Sequence, residues 1–435
     1  MTRLPCIWIA VTVACDFGRM LDPSQVRAEQ PLLTAASHTR SASFADFDAH
    51  ARAGERLNVV FFGASLTWGA NASDPNLTSY RGLVARRLED AYPQARLKFH
   101  DAAIGGTGSQ LGVFRLDRDV LAHRPDLVFL DFSANDDIYS DNPETLASYE
   151  AIVRRLVVEA ACPVVQVIFP FKWDVARKTT NGMKRRDAHW AISRAYQTAV
   201  GDAIVLAIAR VGCGATSLDR LWPIDGVHPG DEGYVLFADA AWTAFQEAVR
   251  NGRICRAPDR MLFGDAYLHS VRMPLRKLGP LPAGWRQGKP NVTAAYFDFL
   301  MSRWLDSVDI ASRPAAESGK VSPPAPQRLC VRFRGNVVML FGESTPTSGK
   351  YRVWIDCRAG KYRPPDAKQL SELYDAGRFA RQIGGNGHHA QVVATGLDMP
   401  AEHTLEIEPV LDGGQELRLE SICVAGKEAA IVAVR

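Results

Sequence analysis

The chain has 435 residues, 47% of them hydrophobic, with 51 Lys and Arg against 48 Asp and Glu. That length holds two cores, and a net charge of +3 with both signs interspersed leaves no basic stripe to support a nucleic-acid partner. No apolar run approaches the roughly 20 residues of a membrane-spanning helix, and no internal repeat is present.

Read from the amino end, Arg3 followed by the apolar residues 6–14 fits the short hydrophobic core of a signal peptide, with small residues for cleavage near Ala14. Export to the periplasm or the extracellular space is the expectation; a start at Met20 would leave the protein cytoplasmic. Cys15 after Thr12-Val13-Ala14 is only faintly like a lipoprotein cleavage box. Residues 1–54 are therefore read as a leader-like segment and amino-terminal extension. From residue 55 the pattern becomes regular. Residues 58–62 make an apolar strand run, and 79–92 space Leu83, Ala85, Leu88 and Ala91 along one helical face. Residues 96–102 alternate like a strand, 113–122 are helical, and 126–132 are apolar enough for a strand buried on both faces. Helix 144–160, strand 164–170, helix 184–200 and helix 232–250 complete an alternation that calls for a parallel sheet with helices on both faces.

Four blocks at the ends of these strands carry chemistry. Ser65 stands in Gly63-Ala64-Ser65-Leu66-Thr67-Trp68-Gly69, directly after the first strand, where open α/β sheets place their sites. Ile104-Gly105-Gly106-Thr107, Ser133-Ala134-Asn135-Asp136 and Asp225-Gly226-Val227-His228-Pro229 follow in order. Each has a plain structural reading: a turn, a helix cap at Asn135, an exposed Asp225–His228 pair of little energetic consequence. Together they supply a nucleophile, two oxyanion donors and a base with its carboxylate. A serine hydroxyl needs an adjacent base, and histidine accepts and returns a proton near neutral pH.

The ordered set Ser65, Gly106, Asn135, His228 resembles the SGNH (GDSL-type) hydrolases over roughly residues 58–251. The resemblance implies a flavodoxin-like three-layer α/β/α domain at 55–254. It implies Ser65 as nucleophile, His228 as base and Asp225 as its orienting acid. The backbone N–H of Ser65, that of Gly106 and the Asn135 amide are implied as the oxyanion hole. Two departures stand out. Ala64 occupies the place of the family's usual Asp before the serine, and Ser133 replaces the frequent Gly of the Asn block.

After residue 255 the helical alternation stops. Residues 329–333, 337–341 and 351–355 read as strands divided by turn residues, and 313–327, rich in Pro, Ser and Ala, reads as a loop or linker. Residues 404–408 and 416–420 alternate cleanly with Asp412-Gly413-Gly414 between them, a hairpin signal. Residues 255–435 are thus expected to be a β-sandwich-like accessory domain, similar to the jelly-roll modules of several carbohydrate-active esterases.

Cys162, Cys213, Cys255, Cys330, Cys357 and Cys423 are too scattered for a zinc site, and buried free thiols are expected of them, with disulfides an option of export. No metal or other cofactor is called for. His388-His389, after Gly384 to Gly387, reads as a solvated loop. Trp68 and Trp173 are candidate substrate contacts, with packing as the alternative reading for Trp68. The expectation is a serine esterase that removes acyl, above all acetyl, groups from a carbohydrate through an acyl-enzyme on Ser65. The alternatives are an O-acetyltransferase using the same serine and a non-catalytic glycan-binding protein. The partner is a small-molecule or glycan ester, and oligomeric state is open.

Overall fold

The first apolar run forms strand β1 (Arg56–Gly63) of a five-stranded sheet in a computed structural model that describes residues 39–291, 305–315, 324–364, 368–398 and 401–434. Its partners are β2 (Arg96–Ala103), β3 (Leu127–Leu130), β4 (Val164–Ile168) and β5 (Ala199–Asp202), in the order β2-β1-β3-β4-β5, all parallel. β3 and β4 are buried along their whole length, as strands covered by helices on both faces must be. The leader-like residues 6–14, Cys15 and Met20 lie outside the described residues.

The helices are α1 (Phe44–Arg52), α2 (Ser65–Trp68), α3 (Tyr80–Ala91), α4 (Ser109–Asp119), α5 (Pro143–Val158), α6 (Lys172–Ala176), α7 (Lys184–Tyr196), α8 (Ala203–Gly212), α9 (Leu218–Leu221) and α10 (Asp231–Arg250). Local chemistry sets their ends. The Asn142 side chain caps α5 with Pro143 in its first turn, and α10 carries Asp231 and Glu232 at its start and Arg250 at its end, complementing its dipole. Two expectations need correction. The helix expected over 184–200 stops at Tyr196, because Gln197 takes a left-handed φ of 57° and the following residues pair with β4 as the edge strand β5. The helix expected over 113–122 begins at Ser109 and ends at Asp119, with a separate 3-10 turn at Leu121–His123.

Residues 255–269 run back over the α/β layer. The Glu150 carboxylate, fully buried, accepts the backbone N–H of Leu262 and Phe263 at 2.7 Å each, and Tyr267 Oη donates to Glu144. Then come β6 (Ser270–Pro274), β7 (Trp285–Gly288), β8 (Val308–Arg313), β9 (Leu329–Arg334), β10 (Val337–Ser344), β11 (Lys350–Ile355), β12 (Arg358–Ala359), β13 (Tyr374–Asp375), helix α11 (Arg378–Ile383), β14 (Gly387–Ala394), β15 (Glu402–Val410), β16 (Gln415–Ala425) and β17 (Ala430–Val434). They build two antiparallel sheets, one ordered β14-β10-β16-β8-β7 with β6 on β16, the other β12-β11-β15-β9-β17 with β13 on β11. Residues 316–323 of the expected linker are outside the described residues; 314–315 and 324–328 carry no regular element.

The hairpin expected at Asp412-Gly413-Gly414 is not one. β15 pairs with β11 and β9, β16 with β10, β8 and β6, so this short connection passes from one sheet to the other. Alternating patterns and a Gly-rich turn are shared by both kinds of connection, which is why the sequence misleads here.

β10 shows what the first sheet is for. Val338 and Leu340 point into the sandwich core with Val331, Phe333 and Ile407, whereas Val337, Met339 and Phe341 join the core of the α/β layer. β16 does the same, with Leu417, Leu419, Ile422 and Val424 inward and Cys423 and Ala425 toward the α/β layer. The parity change between Leu419 and Ile422 coincides with a bulge opposite Phe341/Gly342. The sheet is therefore a middle layer with two dry faces, and the described residues from Arg40 onward form one compact unit.

Candidate active site

Strand order alone sets the stage. β1 lies between β2 and β3, so the loop after β1, carrying Ser65, is flanked by the loop with Gly106 on one side and the loop with Asn135 on the other. The chain leaves β1 toward β2 and returns to the other side at β3, which makes this the switch point where doubly wound sheets hold ligands.

Ser65 begins α2, a single helical turn closed by Gly69 in the left-handed region. Gly63 is required there, because a Cβ would collide with Thr67 Oγ1 and stand 2.6 Å from the Asp131 carbonyl. Ala64 is fully buried. His228 Nε2 is 3.0 Å from Ser65 Oγ, and its Nδ1 is 3.2 Å from Asp225 Oδ2. The other carboxylate oxygen of Asp225 accepts the backbone N–H groups of Val227 and His228 at 2.7 and 2.6 Å, and Asn71 Nδ2 donates to Oδ2 at 2.8 Å. Partial burial raises the Asp225 carboxyl, but these donors outweigh it and hold it below the usual carboxylate value. Burial lowers the His228 imidazole more than Asp225 raises it, so it is neutral, and able to accept a proton, from below its ordinary pKa upward.

The loop after Ser65 is fastened to the loop before α10 and to the first turn of that helix at three points. Asn71 bonds Asp225, Ser73 and Thr78 both donate to Asp231, and Tyr234 Oη donates to the Ala70 carbonyl at 2.7 Å. Sequence reading had not singled out Asn71, Asp231 or Tyr234. Asn71, with a left-handed φ of 67°, left a faint mark as an Asn in a small-residue turn.

The oxyanion candidates are held from below. Arg115, fully buried and stacked on Phe62 at 4.4 Å, donates to the carbonyls of Gly63 and Ala102 at 2.7 and 2.6 Å, joining the ends of β1 and β2. Gly106 takes φ +73°. Asn135 heads no helix; the next one, α5, begins at Pro143 behind the Asn142 cap. Asp136 instead ties this loop to α4 by accepting the Ser109 N–H at 3.0 Å. Ser133, the departure noted above, donates to Asp131 and accepts the Phe169 N–H at 2.9 Å, so its hydroxyl bridges the ends of β3 and β4.

Gly106 and Asn135 line one cleft of about 510 Å³ together with Asp136, Met339, His388 and Gln391. A second cavity of about 280 Å³ meets it at Gly106 and is walled by Tyr362, Arg363, Arg378 and Phe379. Both thus combine α/β loops with strands or loops of the sandwich. His388 and His389 are not in a solvated loop. Gly384 caps α11 with φ +73°, and the two histidines then enter β14, each 6% exposed.

Trp173 is about half exposed and packs on Phe171 and against Gly226 of the Asp225–His228 loop, where a Cβ would come 3.0 Å from its ring. Trp68 is partly buried, and its carbonyl accepts from Arg81 at 3.2 Å. Among the described residues all six cysteines are free thiols; Cys162, Cys255 and Cys423 are buried and Cys330 partly so, while Cys213 and Cys357 are exposed, against the expectation of burial. Among the described residues no cluster of three or more His, Cys, Asp or Glu is disposed to hold a metal ion, and no helix is long and apolar enough to cross a membrane.

Residues 61–236 match the GDSL-like lipase/acylhydrolase family. No curated protein matches the chain. Among solved structures, a two-domain esterase (CEX) active on acetylated mannans is similar with a TM-score of 0.67 at 22% identity, covering 88% of this chain and 95% of its own. A two-domain esterase of the same description, co-crystallised with mannopentaose, gives 0.68 at 20% identity, covering 90% and 97%. The likeness is one of fold and takes in both the α/β layer and the sandwich.

Proposed function

We propose that this ester-hydrolysing enzyme, whose residues 61–236 form a GDSL-like lipase/acylhydrolase domain, is a serine esterase that removes acetyl groups from a carbohydrate. The observation that carries the reading is the continuous chain Asp225–His228–Ser65, with links of 3.2 and 3.0 Å. In the first half-reaction Ser65 Oγ attacks the ester carbonyl while its proton passes to His228 Nε2. The N–H groups of Ser65 and Gly106 and the Asn135 amide receive the oxyanion, and the imidazolium returns the proton to the departing sugar oxygen. Water then repeats the sequence on the acyl-serine and releases acetate. Asp225 holds the Nδ1–H tautomer throughout.

The carbohydrate assignment is supported by the polar clefts shared with the sandwich and by the similar fold of an esterase active on acetylated mannans. Trp173, exposed beside the catalytic loop, offers an aromatic face on which a sugar ring can stack. Export in the mature form fits a polymeric substrate. The test is acetate release from a panel of acetylated glycans beside short- and long-chain aryl esters, with Ser65→Ala and organophosphonate labelling. Labelling confined to Ser65 and near-total loss of turnover in a folded Ser65→Ala are expected. Activity in that variant, or preference for long-chain esters over every acetylated glycan, would overturn the proposal.

A further inference from the structure

We propose that His388, on β14 of the sandwich, is a positioning residue for the oxyanion hole: its ring holds the Cα and carbonyl side of Gly106 and so restrains the residue whose N–H is aimed at the reacting oxygen. The inference rests on the serine-esterase reading of Gly106. Glycine has no side chain to restrict its own backbone, and at φ +73° it sits where it can move freely. An oxyanion donor, by contrast, stabilises a transition state only if it is already in place before charge develops. Something outside the loop must therefore supply the rigidity.

His388 supplies it in two ways. The Gly106 backbone raises the imidazole's pKa against burial, as a carbonyl acceptor beside the ring does, and with Phe379 the ring fills the space beside the Gly106 Cα: a Cβ there would lie 3.1 Å from Phe379 Cζ and 3.3 Å from His388 Cε1. Thr107 Oγ1 donates to the Ile104 carbonyl at 2.7 Å and closes the loop from within. The two rings are themselves locked. They pack against each other with centroids 4.6 Å apart, Phe379 presses on the bare Cα of Gly387, and the Ser344 hydroxyl accepts the Ala380 N–H at 2.9 Å, anchoring α11 to β10. Register places His388 opposite Glu343 on β10, the neighbouring strand of the sheet with two dry faces. Burial, then the neighbouring His389 and Arg115, lower the His388 pKa to about 4, so the ring is a neutral donor at working pH.

His389 provides a control within the same strand. Its ring points to the other face of the sheet and hydrogen-bonds Tyr351 Oη at 2.8 Å. In the full chain, on a soluble aryl acetate, His388→Ala should lower kcat by about ten- to a hundredfold, short of the roughly hundred- to thousandfold cost of deleting a donor, with KM within about twofold. Phosphonylation of Ser65 should slow by the same factor, because its adduct also places an anionic oxygen in the hole. His388→Gln, which keeps a donor, should recover kcat to within about threefold of the parent, and His389→Ala, at a residue that borders the same cavity without packing on Gly106, should lower kcat far less than His388→Ala. Unchanged kcat in folded His388→Ala, or equal kcat losses in the 388 and 389 alanine variants, would overturn the inference. Should His388→Ala not fold, His388→Gln against His388→Phe decides: kcat higher by at least about tenfold with the amide supports it, and equal kcat overturns it. An active Ser65→Ala would instead remove the esterase reading beneath it.

Discussion

Asp225→Asn alters one atom of the charge chain and leaves the loop's shape standing. Oδ1 still accepts the Val227 and His228 N–H groups at 2.7 and 2.6 Å, so the turn persists. At the Oδ2 position an amide NH₂ now faces His228 Nδ1, formerly 3.2 Å from a carboxylate oxygen. That nitrogen must become an acceptor, the ring proton moves to Nε2, and an N–H points at Ser65 Oγ across 3.0 Å. The base is then in the wrong tautomer. In the serine-protease precedent the same change costs about 10⁴ in kcat, equivalent to about 5.5 kcal/mol of activation free energy. Asn71, which donates to Oδ2, loses its acceptor too, a stability loss on the order of 1 kcal/mol.

Initial rates on an aryl acetate across the acid range, with thermal melts, read both effects. On the proposed mechanism activity requires neutral His228, so kcat/KM should rise with pH through its ionisation. Burial sets that ionisation below the ordinary histidine value, and Asp225 partly opposes the shift. The parent's acid limb should therefore reach half-height below pH ~6.5, and the residual activity of Asp225→Asn should have its limb lower still. A loss under about tenfold in a folded variant would refute the reasoning by showing that another group orients His228. A limb moving upward would refute the electrostatic part.

Asp131, fully buried behind the Asn135 loop, has its carboxyl pushed up to about 7 by desolvation, against the lowering effect of its Ser133 bonds. The folded state binds this proton more tightly than the unfolded chain, so the stabilisation present at low pH is lost as pH rises toward and through 7. Asp131→Asn should flatten the decline in melting temperature between pH 5 and 8, and parallel curves for parent and variant would sink the idea. A chain ended at Ile254 removes the Leu262 and Phe263 donors to buried Glu150 and the cover supplied by Val337, Met339 and Phe341. It should lack a cooperative melt; a truncated chain that melts cooperatively and keeps the parent's activity on an aryl acetate would contradict the shared core.

The alternation of strands and helices was legible because each element repeats its own period over many residues, and the β-rich character after residue 255 for the same reason. Short elements defeated that reading. β5 has four residues, including a Gly201 that lets α10 approach within 2.7 Å of where its Cβ would stand, and its helical neighbours hid it. His388 and His389 were misread because Gly384, a helix cap, resembles a loop marker when the six-residue α11 before it is invisible. The four blocks of the candidate site were visible as residue types at strand ends. Asn71, Asp231 and Arg115 were not, since the contacts by which they hold the site reach partners at least thirteen positions away.

The two dry faces of the middle sheet explain why one set of residues was readable and the other was not. A strand with one wet face alternates, as β15 does with His403, Leu405, Ile407 and Pro409 buried between half-buried neighbours. β10 is buried at all eight positions, and such a run reports that both faces are covered without saying by what. What covers one face is the α/β layer, reached at Met339, and along the same sheet edge β14 delivers His388 to Gly106. Packing that serves stability thus also sets where a sandwich side chain meets the Gly106 loop. Cores resist small displacements because they are packed as densely as organic crystals. The same stiffness, transmitted through β10 and β14, is what the proposed glycine donor needs.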